Sequence, residues 1–340
     1  MWIEQASRES GSRISSPVGR GRRPFVRRAA AGLALAVVVA FGPTASRAGD
    51  MRLLVPAYFD PGTGGTEGQT DGWAQMTASA GKVGITAIFN PVGGPDTSAD
   101  PSYAAALAGF ESAGGTVVAY IDTLYGAAPV GAMEAQIETY LSQYPGLIDG
   151  FFVDEMSVSA AALPYYQQLY GFVRALGPYQ VIGNPGTTTG QTYLAAADTL
   201  TTVEVNAATY PATAPPSWVY VHPAPTFSNI VSGETSAAGM AADVALAYVR
   251  NVGYVYITDQ VMTASDGDLY DRLPSYWSEE VATVAAQTPE PGSIALTAIG
   301  FLAMAGATRL ARLSPRRARA GAATRPCAPR LLRDSAWTGS

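Results

Sequence analysis

The chain has 340 residues and a net charge of −6, with one histidine and one cysteine, Cys327. That poverty excludes an internal disulfide, a thiolate metal centre and the H-E-x-x-H zinc motif. The charge is uneven: residues 1–49 carry eight arginines against two glutamates, residues 50–287 five basic against 23 acidic residues, and residues 288–340 eight arginines against two acids.

The basic start reads as a targeting segment. Arg22-Arg23-Pro24-Phe25-Val26-Arg27-Arg28 precedes 14 uncharged residues, Ala29–Gly42, and then Ser46-Arg47-Ala48. A basic stretch, a short apolar run and a small-x-Ala site define a signal peptide over 1–48, too short to span a bilayer. The RR-x-F-V pattern fits a twin-arginine signal, and an ordinary secretory signal fits as well. Export by either the Tat or the Sec machinery is expected, with the mature body at 49–287.

Along that body, strand-like apolar runs occur at 52–59, 85–91, 116–123, 150–155, 179–185, 201–205, 218–222 and 254–260. Helical periodicity fills 102–114, 132–144, 163–177 and 237–253. Near-continuous apolar strands alternating with helices imply parallel pairing covered on both faces. Eight strands in a body of this size predict a closed (β/α)8 TIM barrel, with a doubly wound open sheet as the alternative.

Polar residues gather where these runs end: Asp60, Asn90, Asp122, Asp154-Glu155, Asn184, Glu204, His222 and Asp259. In a parallel α/β fold those ends share one face, where ligands bind. Loop starts and helix caps would explain several of them, Asn90 and Asn184 above all. A glutamate inside the run TTVEV is explained poorly that way, because a cap needs a short side chain. The adjacent acids Asp154 and Glu155 raise a further difficulty. Successive strand side chains point to opposite faces, so both can face a site only if the loop turns one of them.

Other chemistries find little support. A Ser-His-Asp triad would need His222, and the nearest approach to G-x-S-x-G, Gly186–Gly190, has Thr188 at its centre. GTGGTEG (62–68) lacks both the dinucleotide spacing and a phosphate-binding lysine. Carboxylates and aromatics remain, and glycosidic cleavage needs little else. Tyr58, Trp73, Tyr103, Tyr120, Tyr125, Tyr210 and Trp218 are candidate sugar platforms or core rings. An acidic cleft would also attract a cationic polymer.

VPAYFDP (55–61), FNP (89–91), Asp100-x-x-Tyr103, Thr123-x-Tyr125-Gly126, DGFFVDE (149–155), NPGT (184–187) and Asp198 followed by Glu204 occur in the order found in the spherulin-4-like family, spherulation-specific family 4, which includes glycoside hydrolase family 135. The resemblance covers about 52–285. It implies a (β/α)8 barrel that hydrolyses α-1,4-linked N-acetylgalactosamine polymers; with the export signal, the expectation is a secreted, endo-acting glycoside hydrolase working by carboxylate acid/base catalysis without cofactor or metal. Asp154, Glu155 and Glu204 stand where the family's functional carboxylates stand. Within that reading Glu155 is the general acid, Asp154 orients a 2-acetamido group or stabilises positive charge, and Glu204 is nucleophile or base. A substrate-assisted route is the alternative. Substrate contact is expected from Tyr58, Asp60, Asn90, Asp122, Tyr125, Asn184, His222 and Asp259. A non-catalytic polysaccharide-binding module of a biofilm matrix is the rival expectation.

The end of the chain, 288–340, resembles a PEP-CTERM sorting signal. Pro289-Glu290-Pro291 leads into 17 uncharged residues, Gly292–Thr308, and a cluster of arginines from Arg309 to Arg319. It implies transient membrane association, processing by an exosortase-type enzyme and surface or extracellular placement in a Gram-negative-type bacterium, without nucleic acid. Residues 320–340 extend beyond the usual end of such a signal.

Overall fold

A computed structural model describes residues 51–66, 68–261 and 269–287. The expected signal peptide (1–48) and sorting segment (288–340) lie outside the described residues. Eight parallel strands close on themselves in chain order, β1 pairing with β8. They are β1 (Arg52–Ala57), β2 (Ile85–Phe89), β3 (Thr116–Asp122), β4 (Gly150–Asp154), β5 (Gln180–Gly183), β6 (Thr199–Asn206), β7 (Phe227–Ser232) and β8 (Tyr254–Ile257). Closure removes the open-sheet alternative, and the fold is a (β/α)8 TIM barrel.

Six α-helices sheathe it: α1 (Gly72–Ser79), α2 (Pro101–Ser112), α3 (Val130–Gln143), α4 (Leu163–Leu176), α5 (Ala237–Val249) and α6 (Trp277–Ala286). Local chemistry sets their starts. Asp71, Asp100 and Ser236 each cap a helix by accepting from a backbone N–H of its first turn, and Pro101 opens α2 where its missing donor costs nothing. The periodicity of 102–114, 132–144, 163–177 and 237–253 corresponds to α2, α3, α4 and α5. The helices α1 and α6, of eight and ten residues, are not among the expected segments.

Strand faces separate two cores. Leu54, Ile88, Val118, Phe152, Ile182 and Tyr254 fill the barrel interior. Leu53, Val55, Val117, Ala119, Phe151, Val153 and Val181 pack outward against the helices.

One sequence expectation fails. The run 218–222 is not a strand but a short 3-10 helix, Ser217–Val221, and the seventh strand is Phe227–Ser232. Among the described residues, β6 connects to β7 only through such short turns. Pro215 and Pro216 precede the run and Pro223 follows it, which removes backbone donors that a ladder requires. The segment packs at the amino end of the barrel instead. Asn251, just before β8, donates its side-chain amide to the carbonyls of Val219 and His222. Thr199, at the start of β6, donates to the Pro225 carbonyl.

Candidate active site

At the carboxyl ends of the strands lies a cavity of about 560 Å³, with Asp154, Glu155 and Glu204 all in its lining. Each carboxylate arrives there by a different local device. Asp154 follows the interior side chain Phe152 by two residues, so plain alternation turns it inward. It stands beside Asp122 in the β3–β4 register and beside Asn184, one residue past the paired Gly183.

Glu155 has the opposite parity and enters the lining because its backbone leaves the strand conformation, at φ 48°. For a non-glycine residue that left-handed geometry costs on the order of 1 kcal/mol. Surrounding bonds hold it. The Glu155 carbonyl accepts from the Tyr125 N–H at 2.8 Å and from the Thr123 hydroxyl at 2.9 Å. The Met156 N–H then donates to the Asn184 carbonyl. Tyr125 is itself at φ 56°, and it places an exposed ring at the cavity rim.

Glu204 depends on a bulge. The β6–β7 register shifts between Thr201 and Val203. Leu200 and Val203 both pack outward, three residues apart, which an unbroken pleat forbids. The extra residue reverses the parity and turns Glu204 to the interior.

The three acids then meet a shared scaffold. The Asn184 side-chain nitrogen donates to Asp154 Oδ1 and to Glu204 Oε2, each at 2.7 Å. The Tyr270 hydroxyl donates to Glu204 Oε1 at 2.7 Å. Tyr58 packs edge-on against both Tyr120 and Tyr270, forming an aromatic wall. Burial pushes the Asp154 carboxyl up to about 6, with the negative charge of Glu204 adding to the rise and bonds from Tyr120 and Asn184 opposing it. Glu155 is also raised, first by partial burial and then by the adjacent Asp122 carboxylate. Burial drives the Tyr58 and Tyr270 hydroxyls well above the ordinary phenol range, so both are neutral donors. Among the described residues no three His, Cys, Asp or Glu side chains are grouped as a metal site.

Of the expected substrate contacts, Tyr58, Tyr125 and Asn184 line the cavity. Asp122 sits behind Glu155 and caps the following turn by accepting from the Leu124 N–H. Asp60 accepts from the Tyr103 hydroxyl, which fastens α2 to the loop after β1. Asn90 accepts from the Gly93 N–H and closes its own turn. Asp259 pairs with Arg272 at 3.1 Å and accepts from the Ser275 N–H, clasping the segment that carries Tyr270. His222 is a correction: it does not end a strand at the mouth but sits at the amino end, hydrogen-bonded to Gln191 and packed on Trp218 and Phe227. Trp73, Tyr103 and Tyr210 are core rings. Tyr270 and Leu269 are lining residues that the sequence reading missed. They lie 12 and 13 residues past the end of β8 at Ile257, in a stretch without periodicity.

The fold is a closed parallel barrel of the TIM-barrel class, with three acids, an amide and neutral phenols around one hollow at the face where such barrels bind ligands. Comparison with known proteins gives the family. The spherulation-specific family 4 matches residues 52–284, and the chain belongs to it. Spherulin-4 of Physarum polycephalum is 35% identical over 255 residues, covering 72% of this chain and 73% of its own length. Among solved structures, Aspergillus clavatus Sph3 in complex with GalNAc superposes with a TM-score of 0.58 at 22% identity, covering 70% of this chain and 99% of that one.

Proposed function

We propose that this protein is a glycoside hydrolase that cleaves an amino-sugar polysaccharide within the chain, with α-1,4-linked N-acetylgalactosamine as its repeating unit. The observation that carries the reading is the single cavity lined by Asp154, Glu155 and Glu204, with Asn184 bridging two of them. The choice of sugar follows the GalNAc of the Sph3 complex.

In this mechanism Glu155, its carboxyl raised by partial burial and by the Asp122 carboxylate, gives a proton to the glycosidic oxygen as the C1–O bond breaks. Glu204, held by Tyr270 and Asn184, faces the electron-poor C1 from below and forms the bond that replaces it. Asp154 accepts from the acetamido N–H and stabilises positive charge on the ring. Water, losing a proton to Glu155, then attacks C1 as the bond from C1 to Glu204 breaks, which frees the carboxylate. Asn184 reaches both Asp154 and Glu204, so their near oxygens are no further apart than twice 2.7 Å.

The deciding experiment is reducing-end release from α-1,4 galactosamine polymers, with Glu155→Gln and Glu204→Gln as controls. Turnover by the wild type that is lost in both variants supports the reading. Binding without release would make the protein a polysaccharide-binding module instead. Substrates with a good leaving group need no acid, so they should restore Glu155→Gln but not Glu204→Gln. The expected export of the acidic body, through Tat or Sec, and its sorting by an exosortase-type enzyme belong to the same proposal. They rest on the sequence of residues 1–48 and 288–340.

A further inference from the structure

A second cavity, of about 380 Å³, adjoins the first and shares Glu204, Leu269 and Tyr270 with it. It opens over the ends of β6 and β7, on the far side of the Glu204–Tyr270 pair from Asp154 and Glu155. Its remaining lining is mixed: Val205 and Val261 are apolar, Asn206 and Ser232 polar. Val261 is 53% exposed and lies over Gly233, whose left-handed backbone, φ 72°, leaves no Cβ to displace it. Asn206 is exposed, and its side-chain oxygen accepts from the Thr209 N–H and hydroxyl, which fixes the amide at the cavity edge.

We infer that this second cavity is a subsite for the neighbouring N-acetylhexosamine unit of the bound glycan. Its acetamido methyl packs on Val261 and Leu269, and its amide oxygen accepts from Asn206 or Ser232. The inference rests on the hydrolase reading and deepens it. A polymer held at both cavities crosses the mouth from Tyr125 on the β3 side to Ser232 on the β7 side, with the carboxylates beneath its middle. A site with a filled position on each side of the cleaved bond takes internal linkages rather than chain ends. The mix of small apolar contacts and one or two donors is what an acetamido group requires and what an unsubstituted cationic amine does not.

The test compares short and long α-1,4-linked N-acetylgalactosamine oligomers on the full-length protein. In the wild type, kcat/KM should rise once the oligomer is long enough to reach the second cavity. Val261→Trp, which fills that cavity from an exposed position, should cut the long-to-short ratio about tenfold, through KM. Ser232→Ala, a smaller change, should reduce the same ratio in the same direction and guards against a folding defect in the first variant. An unchanged ratio in both variants overturns the subsite and leaves the hydrolase reading intact. If the wild type cleaves none of the oligomers, the hydrolase reading fails, and calorimetric binding of the same series decides the subsite separately. A length-dependent gain in affinity that Val261→Trp removes supports it, and equal affinity at all lengths overturns it.

Discussion

The two ends of the barrel use the same residue type for opposite purposes. At the amino end, Asp149 accepts from the Val117 N–H at 2.8 Å, and Asp198 accepts from the Val181 N–H and the Tyr170 hydroxyl at 2.9 Å each. Those acids extend the strand ladders by one bond, each beside the next strand. At the carboxyl end, Asp154 and Glu204 share one amide donor, and Asp154 is pushed up to about 6 by burial. An acid that braces a backbone N–H away from the cavity is a structural part. Acids made to share a donor in a poorly solvated hollow hold a free-energy cost that chemistry can use.

The largest expected effect tests the carboxyl end directly. Glu155→Gln or Glu204→Gln should lower turnover of the polymer by about 10²–10⁴-fold, with thermal unfolding little changed. Reducing-end assays on both variants, beside circular-dichroism melts, check it. A loss of folding in place of a loss of rate would break the contrast between the ends.

A pH series sharpens it next. Unfolded Asp154 titrates near 3.8 and folded Asp154 near 6, so between those values the folded chain holds the extra proton. Its contribution to stability therefore falls as pH rises, by about 3 kcal/mol in all, and is fully lost above pH 6. Asp154→Asn should flatten that part of the slope. Urea unfolding of the two proteins from pH 4 to pH 7 measures it, and parallel curves would show that the burial cost is not there.

At the amino end, Asp198→Ala strands the Val181 N–H and the Tyr170 hydroxyl. It should cost about 1–3 kcal/mol in chemical denaturation while activity per folded molecule stays put. The smallest expected effect lies back at the mouth. Tyr270→Phe removes one donor from Glu204 and should slow turnover by about tenfold without altering KM. A change in KM alone would place Tyr270 in binding rather than in holding Glu204.

Much of this geometry could be read in advance. Alternating strands and helices gave the barrel, and the acids at strand ends gave the mouth. Alternation also posed the right difficulty at Asp154-Glu155, since one of them had to leave the pleat. What could not be read were the backbone departures themselves. A bulge in TLTTVEVN leaves no mark in composition, because two threonines suit either face. The run 218–222 has strand-like residues, but its flanking prolines decide against a ladder, and His222 is carried to the other end of the molecule with it. Tyr270 was invisible because its position depends on a distant clasp, Asp259 with Arg272, and not on any local pattern.

The spare residue in β6 has a consequence for anyone wishing to tidy this scaffold. Deleting Thr202 would restore an even rhythm between the sixth and seventh strands and favour a calmer, more regular cylinder. Because Val203 and Glu204 would then follow Thr201 in plain alternation, the glutamate would keep its place beside Ile230 and its aim into the hollow. Flattening the bulge with every residue kept would instead turn that side chain toward the helices, so position 202 can be lost where it cannot be straightened.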